Sequence, residues 1–212
     1  MIMNHIRIEY FGHSCFRLSG REGQRVVLDP YSDGSVPGLS PLRVEAEYVY
    51  CSHQHSDHNA VECVQLSQGE RMPEFQVTEV LTDHDNTGGS QRGKNIIRIF
   101  DFHGLRVAHF GDLGRMLTAE EIKTLSGLDA VLIPVGGFYT IDAQQAKSVI
   151  DEILPRVAIL MHFRTDHSGY EVISHLDEVV RAMGDVVFSG DTLVLDNDTP
   201  RQIAILDPVG AR

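Results

Sequence analysis

The chain has 212 residues, of which 42% are hydrophobic and 23% charged, the composition of a globular protein with room for a sizeable core. Its 30 acidic and 18 basic residues give a formal net charge of -12, which disfavours binding to nucleic-acid phosphates and to anionic membranes. No run of about 18 apolar residues occurs, so a membrane-spanning helix is not expected.

Short strands are predicted for the first half of the chain. Apolar residues alternate or cluster over four stretches, each followed closely by turn-forming residues: 6–10, 14–18, 25–28 and 48–51. Residues 31–41 are rich in Gly, Pro and Ser, so they are expected to form a loop. A short helix is predicted over residues 59–66.

The second half of the chain alternates strands with helices. Its clearest strand pair is a hairpin of residues 95–101 and 105–110, with His103-Gly104 at the turn, where Gly suits a positive φ. The other predicted strands cover residues 76–81, 128–134, 157–161, 186–188, 193–196 and 203–206.

Helix starts are indicated by two capping boxes, at residues 118–121 and 142–145. The second of these helices is expected to end before Pro155. A third helix is predicted over residues 174–183, with Gly184 as its stop. Two sheets between outer helices would accommodate this order of elements.

Cysteine usage favours a reducing compartment. The chain has three cysteines, Cys15, Cys51 and Cys63, an odd number without a CxxC pair. They are expected to be reduced core residues of a cytoplasmic protein. The first residues, 1–12, lack an apolar signal-peptide segment, which fits the same location.

Four metal-ligand side chains lie within six residues, in the run His53-x-His55-x-Asp57-His58. Neutral imidazoles and a carboxylate are the groups that zinc, manganese and iron prefer. Side chains two apart on an extended chain point the same way, so His53 and His55 can bind one ion. A turn near Asp57 would direct it and His58 toward a second ion.

Further candidate ligands follow predicted strands, where a rigid sheet can hold them in place. These residues are His84, Asp112 and His162. His103 and His109 compete with His84. His103 lies at a predicted hairpin tip and His109 lies within a strand, and both positions fit a ligand less well than the end of a strand does.

These residues resemble the motifs of the metallo-β-lactamase superfamily, and more narrowly those of small hydrolases related to L-ascorbate-6-phosphate lactonase. Besides the ligands, the matching segments are Gly12-His13-Ser14, Leu28-Asp29-Pro30, Gly111-Asp112-Leu113-Gly114, Ile133-Pro134-Val135-Gly136-Gly137 and Tyr139-Thr140-Ile141-Asp142-Ala143. The resemblance implies an α/β (α+β) fold, a four-layer αββα sandwich, formed by residues 1–212 as a single domain.

The resemblance also implies a role for each ligand. The first metal would be bound by His53, His55 and His84, and the second by Asp57, His58 and His162, with Asp112 bridging both. Asp29 would order the loop beneath these ligands. Two divalent ions are therefore expected, with zinc as the first choice and manganese or iron as alternatives.

Two cations about 3.5–4 Å apart can share one water and lower its pKa toward neutrality, which generates a bridging hydroxide nucleophile. Asp57 is the candidate for orienting that hydroxide. The expected activity is hydrolysis of a small ester, lactone or cyclic amide. The alternatives are a small-molecule phosphodiesterase with the same dinuclear site and a non-catalytic metal-binding protein.

Four other residues are candidates for substrate binding, although each also has a structural interpretation. They are His13, Tyr139, Arg164 and His167. Arg164 is the candidate for meeting an anionic group, because a guanidinium presents a fork of donors. A small-molecule substrate is expected and a nucleic acid is not. The sequence leaves the oligomeric state open.

Overall fold

A computed structural model describes residues 4–67 and 72–210, and within these ranges the chain forms 14 β-strands and three α-helices. The strands are β1 His5–Gly12, β2 Cys15–Ser19, β3 Arg25–Leu28, β4 Val44–Ala46, β5 Tyr48–Tyr50, β6 Val64–Leu66, β7 Gln76–Asp83, β8 Lys94–Phe102, β9 Leu105–His109, β10 Ala130–Pro134, β11 Val157–Met161, β12 Val187–Phe188, β13 Thr192–Asp196 and β14 Gln202–Ile205. The helices are α1 Ala119–Leu125, α2 Ala143–Ile153 and α3 Leu176–Met183.

Two main sheets form the body of the protein. One has five strands in the order β13-β1-β2-β3-β5, and the other has seven in the order β12-β14-β11-β10-β9-β8-β7. In the larger sheet β9, β10, β11 and β14 run parallel, while β8 is antiparallel to both of its neighbours. As a result, β7, β9, β10 and β11 all end at the same edge of the sheet.

The core lies between the two sheets and beneath the helices. Strands β10 and β11 are buried along their whole length because both of their faces are covered. On β10, Leu132 packs toward the five-stranded sheet, whereas Val131 and Ile133 pack against the helices. This alternation follows from the two-residue period of a strand.

The three helices cover the outer face of the seven-stranded sheet. The capping boxes are confirmed, since Thr118 and Asp142 each cap their helix and are capped in return by Glu121 and Gln145. Gly184 ends α3 as predicted, with a φ of 85°. The hydrophobic residues of α2, such as Val149 and Ile150, pack on the sheet, as an amphipathic helix requires.

The outer face of the five-stranded sheet is covered mainly by the loop from residue 31 and by a two-stranded sheet of β4 and β6. The predicted helix over residues 59–66 is therefore wrong. That stretch forms one 3-10 turn, Val61–Cys63, followed by β6. β6 pairs in parallel with β4, a strand of three residues that is too short to show a sequence period.

The predicted fold class is confirmed, with two sheets packed face to face as in the metallo-β-lactamase sandwich. Among the described residues, α-helices cover one of the two outer faces. No helix within residues 4–67 and 72–210 has the length and hydropathy needed to cross a membrane.

Candidate metal centre

The candidate ligands are carried by loops at one edge of the sandwich. His84, Asp112 and His162 follow β7, β9 and β11 of the larger sheet, and the loop of residues 53–58 follows β5 of the smaller sheet. The two sheets are tied together there, because Ile96 N in β8 donates to the Ser52 carbonyl at 3.1 Å. Ligands distant in sequence therefore meet between the sheets.

Asp112 lies at the middle of this group. Its Oδ2 is 3.4 Å from His58 Nε2, 3.4 Å from His84 Nε2 and 3.3 Å from His162 Nε2. The carboxylate is almost fully buried, with 2% of the residue exposed. A single carboxylate surrounded by three imidazole nitrogens is the arrangement expected of a bridging ligand.

Two groups of possible ligands lie around Asp112. In one, the ring nitrogens of His53, His55 and His84 all lie within 4.8 Å of one another. In the other, His58 and His162 stack with their ring centroids 5.9 Å apart, and Asp57 Oδ2 is 3.7 Å from His58 Nε2. The structure thus brings together all seven side chains that the sequence analysis selected as ligands.

The donor set fits divalent cations. Five of its buried atoms have no hydrogen-bond partner: His53 Nε2, His58 Nε2, His84 Nδ1, His162 Nδ1 and Asp112 Oδ1. A buried polar atom without a partner costs about 1–3 kcal/mol, so its retention needs a reason. Imidazole and carboxylate ligands converging on one pocket supply that reason, because a cation would satisfy these atoms.

Asp29 fixes the orientation of two ligand rings. His58 Nδ1 donates to Asp29 Oδ2 at 2.8 Å, and Ser52 Oγ donates to the same oxygen at 2.5 Å. His53 Nδ1 is 2.9 Å from Ser52 Oγ, which is left to accept from it. Both rings therefore carry their hydrogen on Nδ1 and present Nε2 to the pocket, as metal-binding histidines do.

His109 and His103 lie outside the ligand group. His109 Nε2 donates to the Ser14 carbonyl at 2.9 Å, and its Nδ1 accepts from Gly111 N at 3.2 Å, so both ring nitrogens are used. His103 occupies the β8–β9 turn with a φ of 53°. Of the three candidates, the structure places only His84 against the other ligands.

The backbone is strained at this edge. His13, Asp29 and His162 have φ values of 55°, 44° and 58°, in the left-handed region that residues other than glycine rarely adopt. Such strain is typical of functional sites, where the surrounding structure holds the backbone in place. Here it places three polar side chains in contact with the candidate ligands or among them.

The second glycine of the Gly-Asp-Leu-Gly segment, Gly114, lies against the backbone of His84 and Asp85. A Cβ on Gly114 would lie 2.3 Å from the carbonyl carbon of His84 and 2.4 Å from the backbone nitrogen of Asp85. The close approach of these two loops places His84 beside Asp112. Only glycine allows it, because both of the atoms in the way belong to the backbone.

We expect Gly114→Ala to lower the free energy of unfolding by about 1–3 kcal/mol, as overpacking does, and to weaken metal binding by displacing His84. Urea unfolding and metal titration would measure the two effects. Gly23→Ala is the control, since Gly23 has a φ of 83° but nothing within 4 Å of a Cβ. Metal affinity equal in both variants would contradict the role of Gly114.

His13 lies beneath Asp57, although it was predicted to bind substrate. Its side chain has no exposed surface, and its Nε2 is 3.3 Å from Asp57 Oδ2, where it donates a hydrogen bond. Tyr170 approaches the same carboxylate oxygen, with its hydroxyl 3.2 Å away and 2.6 Å from the Ser35 carbonyl. The buried His13 side chain is therefore placed to position Asp57.

Burial keeps several ring nitrogens free of protons. It lowers the pKa of His53 to about 3, with help from the charge of His58, and it lowers the pKa of His84 as well. Burial also lowers the pKa of His13 to about 4, assisted by His162. These imidazoles are neutral at physiological pH, which is the form of histidine that binds a metal.

In contrast, the pKa shifts of His58, Asp57 and Asp112 keep these three side chains charged. Burial opposes charge on His58, but Asp112 and Asp29 raise its pKa well above the ordinary value. Burial also opposes charge on Asp112 and Asp57, yet the neighbouring histidines lower both pKa values, so both side chains stay ionised. A cation taking up the Nε2 lone pair of His58 must displace a proton.

We expect the chelated protein to lose stability between pH 6.5 and 4. Unfolded histidines have a pKa near 6.5, whereas His13 and His53 have folded pKa values of about 4 and about 3. The unfolded chain therefore binds more protons in this window, and each group costs about 2 kcal/mol at pH 5. The raised pKa of His58 offsets only a small part of this loss, because the unfolded histidine takes up its own proton as the pH falls through 6.5.

Urea unfolding of the chelated protein at pH 7 and pH 5 would measure this loss. The His53→Gln variant should lose about 2 kcal/mol less stability between these pH values, because it lacks one of the two titrating groups. Equal free energies of unfolding at the two pH values would contradict burial of neutral imidazoles.

A cleft of about 310 Å³ opens over the ligands, lined by His55, Asp57, His84, Arg92, Asp112, Tyr139 and Tyr170. The predicted substrate residue Tyr139 is among them. Arg92 and Tyr170 escaped the sequence analysis, because neither is part of a recognisable motif. Only the folded chain shows that they face the ligands.

Arg164 and His167 were predicted to bind substrate, and neither residue lines this cleft. Arg164 Nε donates to the Ile173 carbonyl at 3.0 Å, so its guanidinium is used within its own loop. His167 is exposed, and its backbone packs against Gly38, where a Cβ would lie 1.8 Å from the His167 carbonyl oxygen.

Comparison with known proteins identifies the family of this chain. A family model for the β-lactamase superfamily domain matches residues 7–162. A UPF0173 metal-dependent hydrolase of Thermoplasma acidophilum is 27% identical over 194 residues, which cover 77% of this chain and 85% of that protein. Its counterpart in Archaeoglobus fulgidus is 28% identical over 196 residues, covering 76% and 84%.

A solved structure from Thermotoga maritima is also similar. It is described as a candidate Zn-dependent hydrolase of the metallo-β-lactamase superfamily, and it superimposes with a TM-score of 0.73. The two chains are 30% identical, and the match covers 95% of this chain and 98% of that one. The family match includes every candidate ligand from His53 to His162. The chain belongs to the metallo-β-lactamase superfamily and is one of its metal-dependent hydrolases.

Proposed function

We infer that the protein hydrolyses a small ester, lactone or cyclic amide at a pair of divalent cations. The observation that carries this proposal is the convergence of seven side chains whose buried atoms His53 Nε2, His58 Nε2 and Asp112 Oδ1 have no partner. His53, His55 and His84 would hold the first cation, and Asp57, His58 and His162 the second, with Asp112 between them.

When bound, the two cations would lower the pKa of a water between them and polarise the carbonyl of the substrate. Zinc is the expected metal, because imidazole and carboxylate suit it, with manganese or iron as alternatives. Asp112 and Asp57 are ionised and offset part of the added positive charge.

Asp57 is the residue expected to handle the proton. Its carboxylate is partly exposed to the cleft, with 16% of the side chain accessible, whereas 3% of the Asp112 side chain is accessible. His13 holds the Asp57 Oδ2 atom and leaves the other oxygen available to orient the attacking water. The water oxygen would bond to the carbonyl carbon while its proton passes to Asp57. The bond from that carbon to the leaving oxygen or nitrogen would then break as Asp57 returns the proton to the leaving atom.

The cleft favours small substrates. Its volume of about 310 Å³ is at the lower end of the range of pockets that bind small molecules. The net charge of -12 works against a nucleic-acid substrate.

The three cysteines are free, which supports the predicted cytoplasmic location.

The test is hydrolysis of a panel of lactones, nitrophenyl esters, cyclic amides and bis-nitrophenyl phosphate. The protein is first stripped by a chelator and then reloaded with zinc or manganese. We expect ester or lactone turnover that is lost in chelator and restored by metal. Turnover of the phosphodiester alone would assign the alternative function, and metal binding without any turnover would indicate a non-catalytic protein.

A further inference from the structure

An arginine, Arg92, is among the residues that line the cleft, and its guanidinium carries a positive charge. Within residues 4–67 and 72–210, no carboxylate lies at ion-pair distance from its guanidinium, although the chain has 30 acidic residues. Five other arginines each lie 2.8 Å or less from a carboxylate: Arg17, Arg25, Arg98, Arg115 and Arg156. Arg92 is thus left with unused donors that face the ligands.

The loop that carries Arg92 is built around the carboxylate of Asp85, which follows the ligand His84. Asp85 accepts from the backbone nitrogens of Thr87, Gly89, Gln91 and Arg92 at 2.8–2.9 Å. Asp85 is itself 3% exposed. The position of Arg92 relative to His84 is therefore fixed by the fold.

Aromatic rings support the Arg92 side chain. Its guanidinium carbon lies 5.4 Å from the centroid of Tyr139 and 5.8 Å from that of Phe138. Such cation–π contacts stabilise the position of the guanidinium. The N–H groups at its edge remain free for a ligand, and a guanidinium edge matches a carboxylate or a phosphate with two parallel hydrogen bonds.

We propose that Arg92 binds an anionic group of the substrate, and that the natural substrates are small esters, lactones or cyclic amides carrying a carboxylate or phosphate. This inference rests on the proposed function, since it concerns the same cleft. It assigns the role predicted for Arg164 to a different arginine. It also explains how a chain of net charge -12 can accept an anion, because the attraction is local.

The test compares three matched esters in the metal-loaded protein: nitrophenyl methyl succinate, which is neutral, the free-acid nitrophenyl succinate, and its phosphonate analogue. Arg92→Gln should raise KM for an anionic ester by about tenfold or more, with little change in kcat, and leave the neutral ester unaffected. The two anionic arms distinguish carboxylate from phosphate recognition.

Arg201→Gln is the control, since it removes the same charge from an exposed residue before β14, at the edge opposite the ligands. Ketone analogues of the same three esters, with a CH2 group in place of the ester oxygen, cannot be hydrolysed, and their titration by calorimetry gives a readout that needs no turnover. If no ester, lactone or cyclic amide of the panel is cleaved, the proposed function fails, while titration of the ketone analogues still tests Arg92. Equal behaviour of neutral and anionic probes in Arg92→Gln and the unmodified protein would overturn the proposal.

Discussion

Asp57→Asn is expected to lower kcat by about 10³-fold while leaving the fold intact. The amide keeps the shape of the carboxylate and its contact with His13, but it cannot take up the proton of the attacking water. The variant should be assayed with the best ester or lactone at saturating metal, because Asp57 is also a proposed ligand. Circular dichroism and the melting temperature would show that the structure is retained.

Asp198→Asn provides the control for Asp57→Asn. Asp198 is an exposed residue in the turn between β13 and β14, at the opposite edge of the sandwich, and its substitution removes the same charge. Its kcat should equal that of the unmodified protein. Near-normal turnover by Asp57→Asn at full metal occupancy would count against the proton-handling role.

Asp112→Asn is expected to abolish tight binding of both cations. Three imidazole nitrogens lie 3.3–3.4 Å from Asp112 Oδ2, so the substitution removes the only charge that they share. We expect the bound metal to fall from two equivalents to one or fewer after dialysis, and the rise in melting temperature on adding zinc to disappear. Elemental analysis and thermal unfolding would measure both.

Asp29→Asn is the graded comparison for Asp112→Asn. Asp29 contacts the far side of His58 and, through Ser52, that of His53. Such supporting residues typically change metal affinity by about 10–100-fold, so the loss should be smaller than for Asp112. Two equivalents retained by Asp112→Asn would contradict a bridging position.

Local signals predicted most of the fold. The two capping boxes gave the starts of α1 and α2, because a capping box involves residues only three apart. Strands β3 and β11 were predicted with their observed bounds. The error at residues 59–66 arose where the structure depends on pairing with β4, some 20 residues earlier in the chain.

The candidate ligands also divide into those that local spacing predicted and those that it did not. His53, His55, Asp57 and His58 are neighbours, so their spacing alone indicated a metal. His84 was a choice among three histidines, and the sequence favoured it by its place at a strand end. The structure shows why His109 differs, since both of its ring nitrogens have partners in the fold.

The cleft was the least predictable part. Arg92 and Arg164 are both arginines in loops after strands, and sequence alone favoured Arg164 because it follows His162 closely. Which of the two faces the ligands depends on how each loop closes, and the Asp85 carboxylate closes the loop that carries Arg92. His13 was likewise predicted to lie near the site, but the sequence did not show that its buried side chain contacts Asp57.

By itself, the sequence predicted most of the strands and helices and the candidate ligands of the 53–58 run, because these depend on residues close together in the chain. The tertiary structure alone decided which ring nitrogens are free, which carboxylate lies at the centre and which arginine faces the cleft. These features arise where loops from two sheets meet, and contacts between residues far apart in sequence leave no periodic signal in either segment.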